Sequence, residues 1–133
     1  MLQHQNKKLI NLCCLFFFYI FLRKCKVIGH LDETLFLKKY NKKIKKVISS
    51  VSYFGAATFD ALNFCLLAEG KVEAVIETNL KPFDIVPLIP IIEKAGGIVT
   101  TWNNKSAIQG GNILATSNKK LHNKILKLLK SNN

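Results

Sequence analysis

"LKPFDIVPLIPIIEKAGGIVT", residues 80–100, decides how the rest of the chain is read. One carboxylate, Asp84, stands directly before an almost unbroken apolar run, which closes on Ala95-Gly96-Gly97 and a short β-like segment. Asp is a favoured helix N-cap, because its side-chain oxygen accepts a backbone N–H that the first turn leaves without a partner. The spacing therefore predicts a helix that opens at Asp84 and ends at the glycines. Pro87 falls in its first turn, where no backbone donor is needed, and Pro90 falls deeper, where a kink or a local tightening is expected.

Working outward, "KVEAVIET" (71–78) alternates like a half-buried strand, with Val72, Ala74 and Ile76 on one side and Glu73 and Val75 on the other. Residues 79–83, with Pro82, read as a turn. "TFDALNFCLLAE" (58–69) is apolar nearly all round and is followed by Gly70, which predicts a buried helix with a glycine stop. Downstream, "GIVTTW" (97–102) and "NILATS" (112–117) read as strands around the turn "NNKS". "NKKLHNKILKLLK" (118–130) is an amphipathic helix with Leu121, Ile125, Leu128 and Leu129 on its apolar side. The order helix, strand, helix, strand, strand, helix predicts α/β layering.

The front of the chain is different. "DETLFLKKYNKKIKKVI" (32–48) has helical spacing, with Leu35, Tyr40, Ile44, Val47 and Ile48 near one face and Asp32 as a cap. Its lysines read more naturally as a solvated face than as an anion-attracting one. Residues 9–22, "LINLCCLFFFYIFL", are apolar except for Asn11 and are flanked on both sides by basic residues. Fourteen residues is short for a membrane span, which needs about 17 to 25. The length suits a signal-peptide core, but no small-x-small cleavage site follows. Three readings stay open: an uncleaved membrane anchor, a poor signal sequence, or a segment foreign to the folded domain.

With 133 residues, 49% of them apolar, the chain has material for one small domain with a packed core. The net charge of +12 is uneven: the first fifty residues hold eleven Lys/Arg against two acids, the remainder nine against six. Only one of the twenty basic residues is Arg, whereas nucleic-acid surfaces favour Arg for bidentate contacts. Abundant Lys, Asn and Ile fit an AT-rich coding bias, so no nucleic-acid partner is expected. The four cysteines (13, 14, 25 and 65) form no C-x-x-C pair, which argues against a zinc site or a disulfide framework and for reduced thiols in the cytoplasm.

Taken together, "LKPFDIVPLIPIIEKAGGIVTTW" resembles the C-terminal signature of the inositol monophosphatase family, in which an aromatic residue and Asp precede small and apolar residues and Ala-Gly-Gly. Phe83 occupies the aromatic position. Lys-Pro-aromatic-Asp followed by "IPIIE" and "AGG" is closer to the histidinol-phosphatase branch. "LLAEGKVEAVIET" and "GGNILATSNKKLHNKIL" fit the same pattern, and the likeness covers about residues 55–130. It implies the C-terminal half of a layered α/β sugar-phosphatase fold and a Mg²⁺-dependent phosphomonoesterase acting on a small phosphate monoester. Asp84 matches the aspartate that completes a metal site. Glu77 matches the strand-end acid on the polar part of the substrate, and Asp60 the aspartate of a Gly-Gly-Asp-Cys-Tyr segment on the substrate side. A hard cation takes carboxylate oxygens, and a helix N-terminus attracts phosphate, so the chemistry at Asp84 agrees.

Each residue also has a plainer role. Asp84 serves as a cap, and Glu77 equally as an exposed strand-end acid. Asp60, in a mostly apolar helix, needs a partner or solvent, and Thr58-Phe59 stand where the branch has Gly-Gly. The Glu-Glu pair and the Asp-Pro-Ile-Asp-Gly-Thr loop of the family's first half have no match among the eight acids of this chain. No catalytic residue is therefore expected in this chain, which reads as a truncated portion inactive without a complementary chain or a homodimer partner. A sheet cut in half is expected to leave an unpaired edge and an exposed apolar face. The resulting divisions are an apolar and basic segment (1–31), a basic helix and connection (32–54), and the inositol monophosphatase-like region (55–133). The competing expectations are a membrane-anchored, non-catalytic binding module held by residues 9–22 and a non-functional gene remnant.

Overall fold

A computed structural model describes residues 22–29, 41–56 and 60–130. The elements are β1 (Lys26–Gly29), α1 (Asn41–Ser50), β2 (Tyr53–Ala56), α2 (Asp60–Ala68), β3 (Ala74–Leu80), α3 (Pro82–Ile85), α4 (Ile89–Lys94), β4 (Ile98–Thr101), β5 (Gly111–Thr116) and α5 (Lys119–Lys130). The strands form one mixed sheet in the order β2-β1-β3-β5-β4. β2, β1 and β3 run parallel, with Val27 opposite Ala74, and β5 is antiparallel to both β3 and β4.

Parallel neighbours need crossover connections, and these explain the layering. The β1–α1–β2 step moves one way along the sheet, and the β2–α2–β3 step passes back over β1. Crossovers of one hand that travel in opposite directions place their helices on opposite faces. The residues follow suit. Ala74 and Ile76 of β3 pack with Val27, Leu114, Ile44 and Val47 of α1, and Leu121, Ile125 and Leu129 of α5. Val75 packs on the other face with Ile28, Ile113, Phe64 and Leu67 of α2, Ile85 and Ile92. β3 is thus buried on both faces, where its alternation had suggested a half-buried strand.

α5 and the two outer strands are tied together at a buried histidine. His122 Nε2 lies 2.8 Å from Thr100 Oγ1 and Nδ1 lies 3.0 Å from Thr116 Oγ1. Thr100 gives its own proton to the Thr101 carbonyl. A neutral imidazole protonated at Nε2 donates to Thr100 and accepts at Nδ1 from the Thr116 hydroxyl, whose one proton also has the Asn118 carbonyl within reach at 3.2 Å. Asn118 opens α5 by accepting the Leu121 backbone N–H at 2.9 Å.

Several expectations need correction. β1 and β2 lie in sequence that showed no strand pattern, yet β1 is internal to the sheet. Helices cover both faces, so the expected bare sheet face does not occur. The helix predicted from Asp84 is two short helices. Pro82 opens α3 and Pro90 lies in the first turn of α4, so neither breaks a hydrogen-bonded helix interior. Gly96, at φ 89°, and Gly97 end α4 as expected, the Gly97 N–H donating to the Ile92 carbonyl. Of the 32–48 helix, α1 retains residues from 41 on, and Asp32, Leu35 and Tyr40 lie outside the described residues; Ile44 and Val47 are buried, but Ile48 is not. On α5, Leu126 is buried and Leu128 only partly so. Neither Cys25 nor Cys65 is in a disulfide, and burial raises the Cys25 thiol pKa. Among the described residues no helix is long and apolar enough to cross a membrane, and residues 9–21 lie outside them.

Candidate active site

The C-terminal ends of parallel strands, where successive connections depart to opposite faces, form the natural crevice of an open α/β sheet. Here that end gathers Gly29 at the close of β1, the start of α2, Glu77 on β3, and the β3–α3 connection that carries Asp84. The backbones of β1 and β3 press together at this point: a Cβ on Gly29 would stand 2.0 Å from the Ile76 carbonyl oxygen. β3 then bulges between Glu77 and Leu80, with Asn79 at φ 58°, and delivers the chain into α3.

Asp84 is the third residue of α3, with Lys81 in the cap position. Its Oδ2 accepts the Lys81 backbone N–H at 2.8 Å, the return half of a capping box. The carboxylate is half-exposed, and its Oδ1 has no partner among the described residues. Asp84 thus caps a turn through one oxygen and offers the other to a ligand. α3 is a single turn, so the expected phosphate attraction by a helix dipole is weak there; the dipole grows with aligned peptides.

Glu77 differs from the exposed strand-end acid expected. It is 1% exposed, and its Oε1 accepts Asn63 Nδ2 at 2.8 Å across the α2–β3 contact. Asn63 is equally buried, and its own Oδ1 meets no donor. A buried acceptor without a donor forfeits roughly 1–3 kcal/mol, so this atom marks a place where a donor belongs. Asn63 was not singled out from the sequence; the available signal was one amide in an otherwise greasy helix, one turn beyond Asp60. Asp60 itself opens α2 at the same end of the sheet, and its side chain lies outside those described.

The donor set can be tested against the metal that the resemblance implies. Among the described residues no group of three or more His, Cys, Asp or Glu side chains converges on one point. Mg²⁺ requires near-octahedral oxygen ligation, and Asp84 supplies a single free carboxylate oxygen. These residues by themselves do not make a Mg²⁺ site.

The layered α/β fold with its Ala-Gly-Gly stop has relatives among known proteins. The inositol monophosphatase family model matches residues 23–133. The chain belongs to the inositol monophosphatase family. It is 36% identical over 101 residues to the bifunctional phosphatase IMPL2, chloroplastic, of Arabidopsis thaliana, a match covering 69% of this chain and 28% of that protein. It is 36% identical over 98 residues to an inositol-1-monophosphatase of Caulobacter vibrioides, covering 72% and 36%. The crystal structure of extragenic suppressor protein suhB from Bartonella henselae superposes with a TM-score of 0.77 at 24% identity, covering 84% of this chain and 43% of that one. The chain therefore spans about a third of the length of these curated relatives. The family match begins at residue 23, well ahead of the 55 suggested by motifs, and includes β1 and β2.

Proposed function

We propose that this chain forms the C-terminal portion of a Mg²⁺-dependent phosphomonoesterase that hydrolyses a small phosphate monoester. The observation that carries the reading is Asp84: a carboxylate fixed by one oxygen to its own turn, with the other oxygen free, at the C-terminal end of β3 inside the family match. In this proposal Asp84 contributes one ligand to a metal whose other carboxylates come from polypeptide beyond the described residues. The bound metal would supply activation of water and charge neutralisation on the phosphate. Asn63 and Glu77 form the polar wall for the alcohol part of the ester. Glu77 holds the buried Asn63 amide in place, and Asn63 Oδ1 meets no donor among the described residues.

The names of the relatives support phosphatase chemistry, and inositol monophosphate and histidinol phosphate are the esters to try. Phosphate release is measured for the chain alone and for the chain co-expressed with the unmatched front portion of the Caulobacter relative, with and without Mg²⁺. The Asp84→Asn variant is run beside it, since an amide oxygen still caps the turn but is a poor Mg²⁺ ligand. The expected result is no release by the chain alone and Mg²⁺-dependent release by the pair, lost in Asp84→Asn. Turnover indifferent to Asp84, or none from the co-expressed pair on either ester, overturns the reading.

A further inference from the structure

On the opposite face of the sheet from Asn63, a cavity of about 530 Å³ opens between α1, the end of α5 and the β4–β5 hairpin. Small-molecule sites run from about 300 to 1,000 Å³, so the volume fits a ligand larger than one phosphate. Three ammonium groups stand around it: Lys43 from α1, Lys105 from the hairpin and Lys130 from the last turn of α5. None of the described residues lining it is acidic. The described lining thus carries three cations and no acid, a charge pattern that favours an anionic guest. Asn103 and Asn112 add amides. Asn112 Oδ1 is occupied by the Asn79 backbone N–H at 3.2 Å, which leaves its Nδ2 to donate. Trp102 forms part of the wall and is itself held by a 3.1 Å hydrogen bond from Nε1 to the Ile113 carbonyl.

We propose that this cavity is a binding site for a small diphosphate-bearing anion, separate from the Asp84 crevice. The lysines come from three elements far apart in sequence, brought together by the packing of α1 on α5. A diphosphate carries the two to three negative charges that three ammonium groups match, and the cavity volume leaves room for more than a single phosphate. The proposal does not depend on the phosphatase reading.

Trp102 is the chain's single tryptophan, so its fluorescence reports on the cavity directly. The full chain is titrated with pyrophosphate and with ADP in EDTA, which removes any metal-dependent binding at Asp84, and calorimetry gives the stoichiometry. One-to-one saturable binding is expected, weakened by added salt. Each of Lys43→Gln, Lys105→Gln and Lys130→Gln should weaken it about three- to tenfold, the range of one charge-assisted contact. Lys94→Gln, on exposed α4, should leave it unchanged. A preference for ADP identifies an organic diphosphate and a preference for pyrophosphate the inorganic ion; either supports the site. Absence of saturable binding by both ligands, or an equal loss in Lys94→Gln, shows only diffuse surface charge and overturns the proposal.

Discussion

The two helical layers of this molecule treat water differently. α1 and α5 bury one stripe each and turn lysines outward, as helices at a solvent boundary do. On the other layer, α2 through α4 bury Phe64, Leu67, Ile85 and Ile92 against the sheet, yet Leu62 (51% exposed), Phe83 (76%) and Ile91 (49%) face out. An isolated exposed apolar residue needs no explanation, and α1 carries one such in Ile48 (40%), against Leu62, Phe83 and Ile91 on this layer. The same layer carries the start of α2, the Asn63–Glu77 pair and Asp84. Asp84 and these exposed apolar side chains thus lie on one side of the sheet. Under the proposed reading, a complementary polypeptide would lie over α2–α4 and bring carboxylates to Asp84.

The comparison can be broken or sharpened in steps of decreasing size. Gly29→Ala should prevent folding, because the added Cβ meets the Ile76 backbone at 2.0 Å and neither strand can move without unzipping the sheet; soluble yield and circular dichroism check this. Ile125→Ala on the solvent-boundary layer should cost about 2–5 kcal/mol, whereas Leu62→Ala on the other layer should change denaturant stability by about 0.5 kcal/mol or less. Equal losses at the two positions would erase the contrast.

The third expectation concerns pH. Burial pushes the His122 pKa down from 6.5 to about 4, so the folded protein keeps the imidazole neutral between those values while the unfolded chain takes up a proton. Stability is then fully present above pH 6.5 and falls as pH drops toward 4, by roughly 3 kcal/mol at 1.36 kcal/mol per pH unit. Urea midpoints between pH 4 and 7 measure this, and His122→Gln should flatten most of the slope. Smaller again, Asn63→Ala removes the hydrogen bond to buried Glu77 and should cost about 0.5–1.5 kcal/mol, the net range of one intramolecular hydrogen bond. No loss would mean that Asn63 is not what holds the acid in place.

What could be read from the sequence depended on periodicity and on local chemistry. α5, β5 and the glycine stop after α4 were legible because each is written in adjacent residues. Asp84 reads as the N-cap, but Lys81 holds that position, and Asp84, the third residue of α3, accepts the Lys81 N–H at 2.8 Å in return. β1 and β2 were not legible: "KVIG" and "YFGA" are four residues each, too short to show alternation, and β1, internal to the sheet and largely buried, would not alternate anyway. The burial of Glu77 was hidden because its partner Asn63 lies 14 residues away on another element. The cavity lysines were hidden for the same reason, since α1, the hairpin and α5 meet only in the fold. The single helix predicted from 84 failed because two prolines each found a first turn to occupy.

The most direct test of the contrast between the layers is hydrogen exchange on the chain alone and on the chain co-expressed with the unmatched front portion of the Caulobacter relative. The account predicts new protection in α2, α3 and α4 and none in α1 or α5. Protection confined to α1 and α5, or none on either layer, would contradict it.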